Sequence, residues 1–208
     1  MSSYLIPSRF GEAEFTKKHS RFIGRVWPVE TEEEAVARIK EMREKHWDAT
    51  HNVYAYIIRE GGIMRYSDDG EPGGSSGMPT LTVFRAGEIF NVCCVVTRYF
   101  GGILLGTGGL VRAYSQAAKL ALEAAGISRM ALWENVALAC PYSLYERLRR
   151  ELEGAGAVIK SADFGSDVTI EALLPDGSLD GVNARIAEIS AGETELLSLG
   201  KEYRAVEI

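Results

Sequence analysis

Three carboxylates crowd one short segment, Tyr66-Ser-Asp-Asp-Gly-Glu-Pro72. Asp68, Asp69 and Glu71 carry the hard oxygens that hold magnesium, or that accept hydrogen bonds from a partner's cations. The later acidic ligand of an EF-hand loop is missing, so that template does not apply. The same residues also suit a plain turn, in which both aspartates bond nearby amides and Gly70 takes a positive φ. A second segment runs Arg98-Tyr-Phe-Gly-Gly102 and continues through Leu105-Gly-Thr-Gly-Gly-Leu-Val-Arg112. Amides bared by glycine at a helix start, with the helix dipole behind them, form an anion site. Thr107 can cap that helix or touch a phosphate oxygen, and Arg98 and Arg112 can add charge-assisted bonds. Neither the lysine and Ser/Thr ending of a P-loop nor the spacing of a dinucleotide fingerprint is present, and glycines equally permit close packing of a helix on a strand.

Two further candidates complete the set. Lys17-Lys-His-Ser-Arg-Phe22, with Arg25 following, is a basic stretch that carries an aromatic ring. It can contact phosphates while the ring stacks, or it can be a solvated strand edge kept soluble by lysine. His51, in Ala49-Thr-His-Asn52, is a polar site candidate. No serine or cysteine is spaced to be its nucleophile, and the plain alternative is a structural, hydrogen-bonded histidine.

These residues need elements to hold them. Alternation over residues 14–18 and 21–27 predicts two strands of a hairpin or meander. Thr31 followed by Glu34 is a capping-box signature, and Ala35, Ile39 and Met42 continue it as a helix to about residue 46. Residues 53–59 and 63–66 form a hairpin around Glu60-Gly-Gly62, residues 67–77 form a loop, and residues 79–86 begin a helix with proline in its first turn. The apolar run 89–97 suits a central strand covered on both faces, and residues 110–125, rich in alanine and leucine, suit a helix closed by Gly126. After Met130 come a strand (133–140), a helix (142–153), two strands (157–164 and 168–174), a helix (179–190) and a strand (195–204). That order, βαββαβ, is the ferredoxin-like arrangement. The change of pattern sets a boundary near residues 128–132, giving domains 1–130 and 131–208 of an α+β protein.

With 208 residues, 46% hydrophobic and 25% charged, the chain has enough apolar material for buried cores. No basic and apolar leader opens it, and no apolar run reaches the roughly 18 residues of a membrane span, so a cytoplasmic protein off the membrane is expected. A net charge of -6 excludes a protein coated in positive charge for sequence-blind nucleic-acid binding, while leaving room for a local basic patch. Cys93 and Cys94 fall in the apolar run on opposite strand faces, Cys140 stands alone, and no Cys/His spacing suggests zinc. No metal and no cofactor are expected.

Ala49-Thr-His-Asn52, Tyr66-Ser-Asp-Asp-Gly-Glu-Pro72 and Val96-Thr-Arg-Tyr-Phe-Gly-Gly-Ile-Leu-Leu-Gly-Thr-Gly-Gly-Leu-Val-Arg-Ala-Tyr114 together resemble the signature of the Impact family, in its bacterial, YigZ-type branch. Lys17-Lys-His-Ser-Arg-Phe22 resembles that family's start. The resemblance implies a fold like the second domain of ribosomal protein S5 up to about residue 130, followed by a ferredoxin-like domain similar to one in elongation factor G. Both relatives touch RNA or the ribosome. Eukaryotic members restrain a kinase by competing for its activator, with help from an N-terminal RWD domain. The 208 residues leave no room for that domain, so the kinase role is not expected of this chain.

The function expected is therefore a translation-associated regulatory or binding protein, not an established enzyme. It would contact RNA or the ribosome through Lys17, Lys18, Arg21, Arg98, Tyr99, Gly101, Gly102, Thr107, Gly108, Gly109 and Arg112. One alternative is a magnesium-dependent enzyme on a phosphorylated small molecule or nucleotide, with phosphate on the glycine loop and metal on the Asp68, Asp69, Glu71 turn. Another is a protein adaptor whose acidic turn docks a basic partner.

Overall fold

The structure, a computed structural model, describes residues 3–207. Two sheets and five helices make it an α+β molecule. It divides into two compact units, Tyr4–Arg129 and Met130–Val206.

The first unit opens with β1 (Tyr4–Pro7), which bridges Leu5 to Ile89 and is followed by a bond between the Ser8 and Ser128 hydroxyls, 2.7 Å. Then come β2 (Gly11–Lys17), β3 (Ser20–Pro28), β4 (His51–Ile58), β5 (Ile63–Ser67) and β6 (Val92–Tyr99). They pair antiparallel in the order β2-β3-β6-β4-β5. The central β6 is buried on both faces, as its unbroken apolar run requires. Cys94 and Val96 join one core, while Cys93 and Val95 join the other. Burial alone pushes the Cys93 thiol up to about 12, so it packs as a hydrophobe rather than reacting. β6 starts later than residue 89 because Ile89 pairs with β1 and Asn91 turns the chain at φ 50.

Helices cover both faces of this sheet. α1 (Glu32–Lys45) lies over Cys93 and Val95 and buries Ala35, Ile39 and Met42. Its start is capped by Thr31 Oγ1, which accepts the Glu34 N–H at 3.2 Å. The Glu34 carboxylate reaches back to the Glu30 amide at 2.7 Å, one residue beyond the usual capping-box partner. α2 (Gly77–Ala86) and α3 (Thr107–Ala125) cover the opposite face. α3 buries Leu110, Ala113, Tyr114, Ala117, Ala118 and Ala121, an i, i+3, i+4, i+7 stripe made mostly of alanine. Such small residues let it lie very close to β3: a Cβ placed on Gly24 would sit 2.4 Å from the Ala117 carbonyl oxygen.

The second unit takes up most of β7 (Ile127–Cys140), then α4 (Tyr142–Gly154), β8 (Val158–Phe164), β9 (Val168–Pro175), α5 (Leu179–Ile189) and β10 (Leu197–Glu207). Its strands lie in the order β8-β9-β7-β10. Val136, Leu138, Ile170, Ala172 and Leu174 pack against Leu148, Leu152, Val182 and Ile186 of the two helices. No described helix is long and apolar enough to cross a membrane.

Candidate functional site

Strand register gathers most of the candidate residues at one end of the first unit's sheet. Lys17 pairs with Ser20 across the β2–β3 turn, Arg21 with Tyr99, and His51 with Arg98. The acidic turn leaves β5 there, and the glycine-rich segment runs from the end of β6 to the start of α3. Gly101 is required in that segment, because a Cβ on it would meet the His19 carbonyl carbon at 2.0 Å. Its amide donates to Ser20 Oγ at 3.2 Å.

Beneath the glycine segment lies a buried ion pair. Arg98 Nη1 donates to Glu71 Oε1 at 2.6 Å, and the two side chains are 5% and 3% exposed. Arg98 sits on the α3 face of β6, two residues on from Val96, so strand alternation turns it inward. Its guanidinium lies between the Phe22 and Phe100 rings, 5.5 and 5.4 Å from their centroids, while Nη2 reaches Ser20 Oγ at 3.3 Å. The Tyr114 hydroxyl also donates to Glu71 Oε1, at 2.7 Å, and burial together with that bond holds the phenol well above its ordinary range. Glu71 Oε1 is thus fully engaged. Its other oxygen, Oε2, faces His51 Nε2 at 3.8 Å, too far for a hydrogen bond. The His51 ring is oriented from its far side, because Nδ1 lies 2.7 Å from the Asp69 carbonyl and must donate to it. In the neutral ring Nε2 is therefore a bare acceptor.

A pocket of about 380 Å³ opens over this group. Its polar lining comes from Thr50, His51, Glu71, Arg98 and Thr107, and its apolar lining from Phe100, Leu104, Leu105 and Leu110. Gly106, at φ 72, breaks the chain just before α3, which starts three residues earlier than its alanine and leucine content predicts. The first helical bond runs from the Leu110 amide to the Gly106 carbonyl, which leaves the amides of Thr107, Gly108 and Gly109 without helical partners. Thr107 makes no side-chain cap, and Thr107 and Gly108 are exposed while Gly109 is buried.

The acidic turn divides by residue. Asp68 Oδ1 accepts from the Ser76 amide, the Ser76 hydroxyl and the Gly77 amide at 3.1, 2.6 and 2.8 Å, and Oδ2 accepts from the Gly74 amide at 2.8 Å. Burial pushes its pKa up, but these bonds together outweigh burial and hold the carboxyl below its ordinary value. Asp69 gives Oδ1 to Arg43 and Oδ2 to the Asn52 amide, both at 2.7 Å. Both aspartates therefore brace the chain, and among the described residues no group of three or more acidic, histidine or cysteine side chains is placed to hold a metal ion. Glu71 alone turns toward the pocket.

The basic residues also differ in state. Lys18 and His19, at φ 46 and 63, make the tight β2–β3 turn. Lys18 Nζ bonds the Leu104 carbonyl at 3.3 Å, which ties this turn to the pocket rim, and Lys17 is half-buried beside it. Arg21 is bound by both forks to Glu14, at 2.8 and 2.6 Å, with its guanidinium 5.9 Å from the half-buried Tyr99 ring. Gly102 and Arg112 are exposed. On the α1 face, Arg25 is 3% exposed and donates to Glu12 Oε2 at 2.5 Å and Thr97 Oγ1 at 3.1 Å. Nearby, the Tyr99 hydroxyl donates to Asp48 and so accepts from His46 Nδ1, at 2.9 Å, leaving His46 Nε2 buried and, among the described residues, without a partner.

Sequence alone did not single out Ser20, Phe100, Leu104 or Tyr114 as site residues. Tyr114 carried a signal, as the one aromatic on an otherwise alanine and leucine stripe.

The family model for the Impact N-terminal domain matches residues 18–122, and a domain of unknown function (DUF1949) matches residues 138–193. The chain is 32% identical over 202 residues to IMPACT family member YigZ of Escherichia coli K12, covering 96% of this chain and 99% of that protein. The chain belongs to the IMPACT family. A second family member, YvyE of Bacillus subtilis strain 168, is 33% identical over 197 residues, 94% of this chain and 91% of that one. Mouse Protein IMPACT is 35% identical over 97 residues, 44% of this chain and 30% of the mouse protein. A crystal structure of a hypothetical protein superposes on this family member with a TM-score of 0.61 at 32% identity, covering 96% of this chain and 98% of that one. The pocket residues lie inside the segment matched by the Impact N-terminal domain.

Proposed function

We propose that this IMPACT family member is a cytoplasmic, translation-associated regulatory protein that contacts RNA or the ribosome with the end of the first unit's sheet. The observation that carries the reading is the joining of Lys18, the exposed Phe100 ring and the start of α3 around one pocket, with Lys17 next along the same turn. The net charge of -6 makes such a local surface necessary for any nucleic-acid contact. Family membership supports the translation link. In the same reading the first unit is like the second domain of ribosomal protein S5, and the second unit is a ferredoxin-like domain similar to one in elongation factor G. The βαββαβ order with strands β8-β9-β7-β10 supports the second assignment.

The test is sedimentation of lysate at low and moderate salt, with and without nuclease, for the parent chain and a Lys17→Glu/Lys18→Glu/Arg112→Glu variant. Co-migration with ribosomal particles that salt and the variant both abolish is expected. A protein that stays at the top of every gradient would refute the reading. Arg98 is kept intact here, since its removal strands Glu71 and confuses binding with folding.

A further inference from the structure

We infer that the pocket is a guanine site, taking the unpaired base of a nucleotide; this deepens the reading of the same surface as an RNA contact. Two acceptors stand side by side at its polar wall. Among the described residues Glu71 Oε2 has no hydrogen-bond partner, because Arg98 and Tyr114 both use Oε1. His51 Nε2 lies 3.8 Å from it and is bare in the neutral ring, since the Asp69 carbonyl claims the proton on Nδ1. At that separation the two cannot bond one another, yet they bracket a pair of adjacent N–H donors. Among the four RNA bases only guanine offers two neighbouring donors, its ring N–H and exocyclic amine, on its pairing edge. Adenine and cytosine would turn a ring acceptor toward the carboxylate, and uracil supplies a single donor between two acceptors.

The remaining walls suit the rest of such a ligand. Phe100 is 44% exposed at the mouth, positioned to stack on a base, and Leu104 and Leu110 line the apolar side. The free amides of Thr107 and Gly108, at the positive end of α3, and Lys18 on the Leu104 carbonyl face the place of a phosphate. A cationic partner side chain also carries paired N–H donors. It would, however, enter between Arg98, Lys18 and the positive helix end, so a neutral donor edge attached to an anion fits the charges better.

The test is calorimetric titration of the full chain with the four nucleoside 5′-monophosphates and methylguanidinium, followed by short unstructured oligoribonucleotides with and without guanine. Guanine-bearing ligands should bind at least about tenfold tighter than the others. The preference is expected in the mononucleotide if free nucleotide is the source, and only in the oligomer if RNA is. Glu71→Gln keeps an amide oxygen for Arg98 but turns the open acceptor into a donor, and it should erase the preference. Should that variant fail to fold, Leu104→Glu at the 79% exposed rim still tests the location, weakening every nucleotide by about tenfold or more. Equal affinity for all four bases, tighter binding of methylguanidinium, or full binding by Leu104→Glu would each overturn the inference. Ribosome co-migration without guanine preference sinks this inference alone. Guanine preference without co-migration keeps the pocket and sinks the ribosome reading.

Discussion

Two arginines on neighbouring strands of the same sheet are buried to almost the same degree, Arg25 at 3% and Arg98 at 4%, yet they serve opposite faces and keep different company. Arg25, on the α1 face, pairs with Glu12, whose side chain is 47% exposed, and finds a neutral second partner in Thr97. Arg98, on the α3 face, pairs with a carboxylate as buried as itself. The first charge is neutralised at the boundary with water, the second inside the protein. A buried pair of this kind is a poor device for stability, because both desolvation costs must be met. Its presence beside a pocket, with one carboxylate oxygen left open, fits a group placed for recognition rather than for holding the fold.

The largest expected effect follows directly. Glu71→Ala leaves the Arg98 charge buried and alone and should lower unfolding free energy by about 3–5 kcal/mol, read by urea denaturation. A loss under about 1 kcal/mol would mean that water reaches Arg98 and that the two arginines are held alike. Next is Asp68→Ala, which deprives two backbone amides and a hydroxyl around Ser76 and Gly77, and the Gly74 amide, of their acceptor. A cost of about 1–3 kcal/mol is expected. Asp68→Asn should recover part of it, since an amide oxygen still accepts but without charge.

A smaller effect is a dependence on pH at His46, beside the Arg25 group. Burial first, then the charges of Arg25 and Lys45, lower its proton affinity below the ordinary imidazole value of 6.5. The unfolded chain therefore takes up the proton first as the solution is acidified. Stability from this site is whole above 6.5 and is lost as pH falls from there toward the lowered folded value. Denaturation midpoints measured across that window should fall less steeply in His46→Gln than in the parent. Equal slopes would show that Nε2, which has no acceptor among the described residues, is nevertheless solvated.

Much of this end of the molecule was legible in the residues, and the failures have physical causes. The Thr31 and Glu34 cap, the strand pairs around Glu60-Gly-Gly62 and the burial of Cys93 and Cys94 on opposite faces follow from local rules that the tertiary structure does not override. Arg98 read as a phosphate ligand because arginine beside glycine suggests an anion. Counting two from Val96 places it inward, but the count matters only once α3 is known to reach back to Thr107 and cover that face. The division of labour in the acidic turn was hidden for a different reason. Asp68 finds its donors within nine residues, whereas the partners of Glu71 lie at Arg98 and Tyr114, far along the chain. Local turn chemistry can be read from spacing, while a pairing made across a sheet and a helix cannot.

The smallest expected effect is at Glu12. Its carboxylate is nearly half exposed, so removing it opens the outer side of Arg25 to water, while the Thr97 hydroxyl still accepts from the inner side. Glu12→Ala should therefore cost roughly 0–1 kcal/mol, and salt should shrink the difference further. The same salt should leave the Glu71→Ala loss almost unchanged, because screening ions do not reach a pair whose side chains are 5% and 3% exposed. If both losses fell together with salt, the Arg98 and Glu71 pair would be open to solvent ions, and the pocket above it would be wetter than its apolar walls imply.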